Sequence, residues 1–131
     1  MVDLTETQAR KWLDTYKKAW EKGDPDLAAS LFHEDAVYRE RRFTTPLNGR
    51  EAIRKYWVNR VQDYQRDVMF DYQLWAVSGD TGYASWQAAF TWLPSNGRIE
   101  LDGVFRLTFS SVKDHILVCQ TFEEWFDLRE L

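Results

Sequence analysis

Two alternating runs in the last quarter of the chain constrain its fold more than any other feature. Ile99, Leu101, Gly103, Phe105, Leu107 and Phe109 alternate with Glu100, Asp102, Val104, Arg106, Thr108 and Ser110. That is the period of 2 of a strand with one buried face. After a polar turn over 110–114 comes a second run of Ile116, Val118, Gln120, Phe122, Glu124 and Phe126. This face is apolar except at Gln120 and Glu124. A carboxylate on a buried face is costly unless it is paired or neutralised, so Glu124 marks either a shift of register or a site. The same parity turns Cys119 away from Gln120 and Glu124, as a packed thiol rather than a nucleophile.

Upstream, the pattern changes period. Thr5 with Gln8 forms a capping box, and Ala9, Trp12, Leu13, Tyr16, Ala19 and Trp20 recur at helical spacing on one stripe. Gly23 ends that helix, and Asp24-Pro25 starts a short second one whose buried side is Leu27, Ala28, Leu31 and Phe32. His33 falls at its end, where a cation complements the helix dipole. A short strand follows from Ala36 to Arg41, with Ala36, Tyr38 and Glu40 on one face. A loop then leads to a third helix from about Arg50, with Ile53, Tyr56, Trp57, Val61 and Tyr64 on its apolar stripe. Strands are predicted over about Val68–Val77 and Tyr83–Leu93, joined by the turn Ser78-Gly79-Asp80-Thr81-Gly82. In the second of these, Trp86, Ala88, Phe90 and Trp92 face the helices, while Ser85, Gln87, Ala89 and Thr91 face outward. Helices first and meandering strands afterwards indicate one α+β domain over 1–131, with helices packed on one face of an antiparallel sheet.

Composition excludes several function classes. With 21 acidic and 17 basic residues in 131 the net charge is −4, so no basic excess favours nucleic acid or an anionic membrane surface. Arg39, Arg41 and Arg42 form a local cluster, read as a solvated or ion-paired edge. The single cysteine gives no disulfide framework and no CxxC pattern. His33 and His115 are not at ligand spacing with other donors, so no metal is expected. No phosphate-binding glycine loop or GxSxG elbow is present, and no cofactor is expected. The N-terminus lacks signal-peptide character and no apolar run is long enough to span a bilayer, which together suggest a cytoplasmic protein.

Several short motifs carry a family likeness. They are Gly23-Asp24, Leu31-Phe32-His33-Glu34-Asp35-Ala36, Gly49-Arg50-Glu51-Ala52-Ile53, Gly103-Val104-Phe105-Arg106-Leu107 and Glu124-Trp125-Phe126-Asp127. In this order and spacing the chain resembles the nuclear-transport-factor-2-like superfamily. That superfamily includes ketosteroid isomerases, limonene epoxide hydrolases and SnoaL-like polyketide cyclases. The resemblance implies a cone-shaped, cystatin-like α+β barrel, in which three N-terminal helices pack in a curved antiparallel sheet. A pocket would lie at the open end, in a homodimer formed through the outer sheet face. Carried over from the ketosteroid isomerases, Tyr16 matches a tyrosine that holds an oxyanion and Glu40 matches the base. The second oxyanion donor, an acid, would stand at Gly103; Asp102 beside it has the wrong parity unless a bulge shifts it. Carried over from the epoxide hydrolases, Trp86 and Ala88 replace an essential Arg and Asp. Glu124 matches that family's second Asp, with Glu123 in place of an arginine, and Tyr38 and Glu40 match residues that help hold its water. Neither relay is complete.

What remains is an aromatic pocket with polar groups from separate elements. Trp12, Trp20, Trp57, Trp86, Phe90, Phe105 and Phe122 are expected to line it, with Tyr38 and Gln120. In the functional reading Glu40 is a general base, Tyr16 donates to a developing oxyanion and Glu124 is an acid or orienting partner. The chain would then be an isomerase, cyclase or dehydratase of an apolar carbonyl compound. In the structural reading Glu40 pairs with Arg42 or Arg60 at the rim and Glu124 is bonded by Tyr16 or Tyr38. The chain would then be a non-catalytic binder of an apolar small molecule, or a dimeric association module.

Overall fold

The structure, a computed structural model, describes residues 3–40, 42–112 and 116–131. Helix α1 (Glu6–Lys22) begins at the expected capping box: Gln8 N–H donates to Thr5 Oγ1 at 3.1 Å, and Thr5 N–H donates to Gln8 Oε1 at 3.0 Å. It ends at Gly23, whose φ of +63° is the left-handed conformation that lets its N–H turn back to the Trp20 carbonyl. Asp24 caps α2 (Pro25–Ser30), and the third helix, α3 (Arg50–Trp57), runs into a single π-helical turn over Val58–Gln62. The buried stripe of α1 is the one its spacing predicts: Ala9, Trp12, Leu13, Tyr16, Ala19 and Trp20.

The strands are β1 (Phe32–Arg39), β2 (Leu47–Asn48), β3 (Gln65–Ser78), β4 (Thr81–Trp92), β5 (Gly97–Ser111) and β6 (Leu117–Glu130). They form one curved, unclosed sheet in the order β2-β1-β6-β5-β4-β3, with the helices packed on its concave side. This is the α+β cone expected from the sequence. The sheet is not antiparallel throughout, because β1 runs parallel to β6 while the other described pairings are antiparallel.

Aromatic rings cement the two layers. Tyr16 has Trp12, Trp57, Phe70 and Phe105 within 5.4–5.5 Å of its ring centroid. Each large aromatic removes on the order of 150–250 Å² from water, so a few such rings hold a helix to a sheet.

Local expectations change at three places. His33 lies in β1, not at a helix end, and its Nδ1 accepts the Asp35 N–H at 3.0 Å. Here sheet pairing overrides helix continuation: Cys119 N–H donates to the Leu31 carbonyl at 2.8 Å and draws the chain beside β6. On β6 the register passes from Thr108↔Thr121 to Phe109↔Cys119, so Gln120 is an extra, bulged residue. The bulge reverses parity, and Cys119 is therefore fully buried in the core rather than turned away from it. Burial pushes its thiol well above the ordinary range. Tyr64, expected on the α3 stripe, is 43% exposed beyond the π turn and lies against Trp92. His115 and Arg41 lie outside the described residues.

No described helix is long and apolar enough to cross a membrane. Among the described residues, no group of three or more His, Cys, Asp or Glu side chains is placed to hold a metal ion.

Candidate functional site

Between the helices and the concave face of the sheet lies a cavity of about 310 Å³. Helices, the π turn and strands build its wall together. Tyr16 and Trp20 come from α1, Tyr38 and Glu40 from the end of β1, and Tyr56 and Trp57 from α3. The π turn adds Arg60 and Val61, and the strands add Trp86 and Phe90 from β4, Ile99 and Leu101 from β5, and Glu124 and Phe126 from β6. The alternation of β6 sends Phe122, Glu124 and Phe126 inward, and only Glu124 among them is charged.

The polar groups have defined neighbours. Tyr56 donates its hydroxyl to Glu40 Oε2. Burial, and then the Glu40 charge, raise the Tyr56 phenol well above its ordinary value. Arg60 lies over the Tyr56 ring, with its guanidinium carbon 6.0 Å from the centroid. Deeper in, Tyr16 and Tyr38 are almost wholly buried. Burial, followed by the negative charge of Glu124, pushes Tyr16 up, and a hydrogen bond from Tyr38 partly offsets this. Burial, then its Tyr16 neighbour, then Glu124, does the same to Tyr38. All three phenols consequently keep their protons at any physiological pH and can donate hydrogen bonds. Glu124 is 6% exposed.

Of the residues nominated from the sequence, Glu40, Tyr16, Glu124, Tyr38, Trp20, Trp57, Trp86 and Phe90 meet at this cavity. Trp12, Phe105, Phe122 and Gln120 do not line it. Trp12 is anchored elsewhere, its indole N–H donating to the Leu31 carbonyl at 2.9 Å. Phe105 and Phe122 pack on each other in the core at 5.1 Å. The bulge turns Gln120 toward Ser110, whose hydroxyl donates to Gln120 Oε1 at 3.2 Å. Tyr56, Trp92 and Phe126 are lining residues the sequence read only as apolar stripe. Periodicity identifies buried positions but not which of them border a void.

Three residues weighed from the sequence, Gly103, Asp102 and Arg42, have surroundings that fix what they can do. A Cβ on Gly103 would lie 2.4 Å from the Trp125 carbonyl oxygen, 2.8 Å from Phe126 Cβ and 3.0 Å from Trp86 Cε2. No acid fits there, because Trp86 and Phe126 close over the glycine from the neighbouring strands. Asp102 is on the outer face, since the β4–β5 and β5–β6 registers run through it without a bulge, and it accepts from Gln87 Nε2 at 3.0 Å. Arg42 is committed to Glu123, which it meets at 2.8 Å on the outer face.

Residues 9–116 match the SnoaL-like domain. The chain belongs to that family. A search of curated proteins finds no match to this SnoaL-like chain. Among solved structures it is similar to hexachlorocyclohexane dehydrochlorinase LinA-type3 from Novosphingobium barchaimii LL02, with a TM-score of 0.78 at 15% identity over 95% of this chain and 88% of that one. It is also similar to SalBIII, an epoxide hydrolase/cyclase-like enzyme of pyran ring formation in salinomycin, with a TM-score of 0.77 at 19% identity over 96% and 98% of the two chains. RV0760c from Mycobacterium tuberculosis matches with a TM-score of 0.78 at 12% identity, over 98% of this chain and all (100%) of the other. At these identities the likeness is one of fold, and the SnoaL-like chain's chemistry has to be argued from its own cavity.

Proposed function

We propose that this SnoaL-like chain processes an apolar carbonyl compound by side-chain acid–base chemistry, as an isomerase, cyclase or dehydratase. One observation carries the reading: Glu40, just past β1, and Glu124 of β6 share a largely apolar cavity with two buried phenols, Tyr16 and Tyr38, and the half-buried Tyr56. Glu40 is the base. The Tyr56 hydroxyl on Oε2 holds its carboxylate in one orientation. Glu40 takes a proton from the carbon next to the carbonyl, and the C–H electron pair moves onto the carbonyl oxygen as an enolate. Tyr16 and Tyr38 stay protonated and donate to that oxygen, which is where charge develops. Return of the proton from Glu40 to a different carbon completes an isomerisation. Alternatively, the enolate pair expels a β-hydroxyl as water, Glu124 in its acid form supplying the proton, and this completes a dehydration. A dehydrochlorinase and a cyclase-like enzyme among the similar structures support chemistry of this class in the fold.

Exchange of α-protons for deuterium in a cyclic ketone, followed by proton NMR in D₂O, tests the first step without knowledge of the natural substrate. Glu40→Gln is expected to slow exchange by a factor on the order of 10²–10⁴ with the melting temperature unchanged. An undiminished rate in that variant removes Glu40 as the base. Saturable binding with no exchange in the unmodified protein would make it a small-molecule binder instead.

A further inference from the structure

The turn that follows α3 carries a cation to the edge of the cavity. Arg60 stands one helical turn after Tyr56, so the two side chains rise from the same face. Its guanidinium carbon is 6.0 Å from the Tyr56 centroid, at the reach of a cation–π contact. That contact holds the guanidinium beside the cavity that both residues line. The turn itself is π-helical, with Asp63 N–H donating to the Val58 carbonyl at 3.1 Å. Such turns are rare and recur at functional sites.

Arg60 differs from the other arginines in what it meets. Arg42, Arg54, Arg106 and Arg129 each reach a carboxylate, and Arg50 and Arg98 each donate to a backbone carbonyl. Arg60 has no hydrogen bond or ion pair among the described residues. It is exposed, so its N–H groups are open to an occupant of the cavity mouth. Gln65, half-buried at the start of β3, lines the same cavity. An indole N–H only donates, so the Trp20 indole takes the Gln65 carbonyl oxygen, at 2.7 Å, and leaves the Gln65 amide N–H groups to donate elsewhere.

The cavity therefore sorts its occupant by depth. Tyr16, Trp57, Trp86 and Glu124 are buried, whereas Arg60 and Leu128 are exposed. An anionic group placed at the inner end would lose its water beside Glu124. At the outer end it keeps part of its hydration and meets a guanidinium, whose fork matches a carboxylate with two parallel hydrogen bonds.

We propose that Arg60 is a specificity residue of this cavity, and that its ligand carries a carboxylate at the mouth, on a ring-sized apolar body whose carbonyl lies inward. The inference rests on the cavity of the proposed function being the ligand site, but not on any proton transfer there. It narrows that substrate class to keto acids with the carbonyl and the carboxylate at opposite ends.

The test compares 4-acetylbenzoate with its methyl ester and with acetophenone, by calorimetric titration at about pH 7, where the acid is ionised. The acid should bind about tenfold more tightly than either neutral probe, and raising the salt should shrink that advantage. Acetophenone should displace the acid, since both occupy the cavity. Arg60→Met should lose about tenfold for the acid and nothing for the ester. Its side chain is exposed, so the melting temperature of the variant should match that of the unmodified protein. Four results overturn the proposal: acid and ester bind alike, the acid keeps its advantage in Arg60→Met, acetophenone does not displace the acid, or no probe binds. Deuterium exchange into the acetyl group is read separately. Acid preference without exchange defeats the acid–base reading and leaves this one standing, and exchange without acid preference does the reverse.

Discussion

Glu123 and Glu124 are neighbours in β6 with opposite surroundings. Glu124 points into the aromatic cavity, while Glu123 points out to Arg106, whose Nε and Nη2 reach its two oxygens at 2.7 and 2.9 Å, and to Arg42 at 2.8 Å. Trp125 lies under both guanidiniums, at 5.1 and 5.4 Å. The Arg106 hydrogen bonds, opposed by burial and aided by Arg42, hold the Glu123 carboxyl below the usual carboxylate range. A lowered folded pKa contributes stability that is present above the ordinary glutamate pKa and is lost as pH falls through the lowered value. Glu123→Gln is therefore expected to cost about 1–2 kcal/mol at pH 7, a figure reduced because both arginines are partly exposed. Urea unfolding at pH 7 and pH 3 checks this, since the gap between the two proteins should narrow at the lower pH. A gap that is the same at both would mean that packing, not charge, is responsible. At this scale alternation marked Glu124 as a carboxylate on an otherwise apolar strand face, and that face of β6 borders the cavity. Alternation could not pair Glu123 with Arg42, because the two are 81 residues apart and their contact depends on β1 lying beside β6.

Two strand details set the cavity's shape. The bulge at Gln120 lets β6 put Cys119 in the core near its start and still send Phe122, Glu124 and Phe126 inward further on. Gly103 does the complementary work on β5, allowing the Trp86 and Phe126 rings, 6.1 Å apart, to meet over a strand with no side chain between them. Gly103→Ala is expected to destabilise the protein by about 1–3 kcal/mol, because the Trp125 carbonyl is backbone and cannot swing away. Thermal unfolding with circular dichroism measures it, and an unchanged midpoint would show that β5 and β6 separate easily at that point. Strand alternation was legible because it needs only a local period. The bulge was not, because an extra residue in one strand is defined only against its partner.

At the scale of the whole molecule, the helices and the sheet enclose the cavity jointly, so an occupant tightens contacts between the two layers. A ligand that binds the folded form alone stabilises it by about 2.7 kcal/mol at a hundred times its Kd. For a domain of this size that is a rise in melting temperature on the order of 10 °C. Scanning calorimetry with a saturating cyclic ketone should show it, and a flat response would mean that the ketone does not bind the folded form preferentially. The sequence by itself missed β2 (Leu47–Asn48) and left Phe32 in the second helix rather than at the start of β1. It indicated the three helices, the caps of α1 and α2, the four long strands, the α+β cone and the candidates Tyr16, Tyr38, Glu40 and Glu124. These follow from periodicity, capping chemistry and a family resemblance, each written along short stretches of chain. Only the tertiary structure decided that Tyr56 donates to Glu40 and that Trp86 occupies the space an acid at 103 would need. Those facts depend on distances between residues far apart in the chain, which sheet register and helix docking set together.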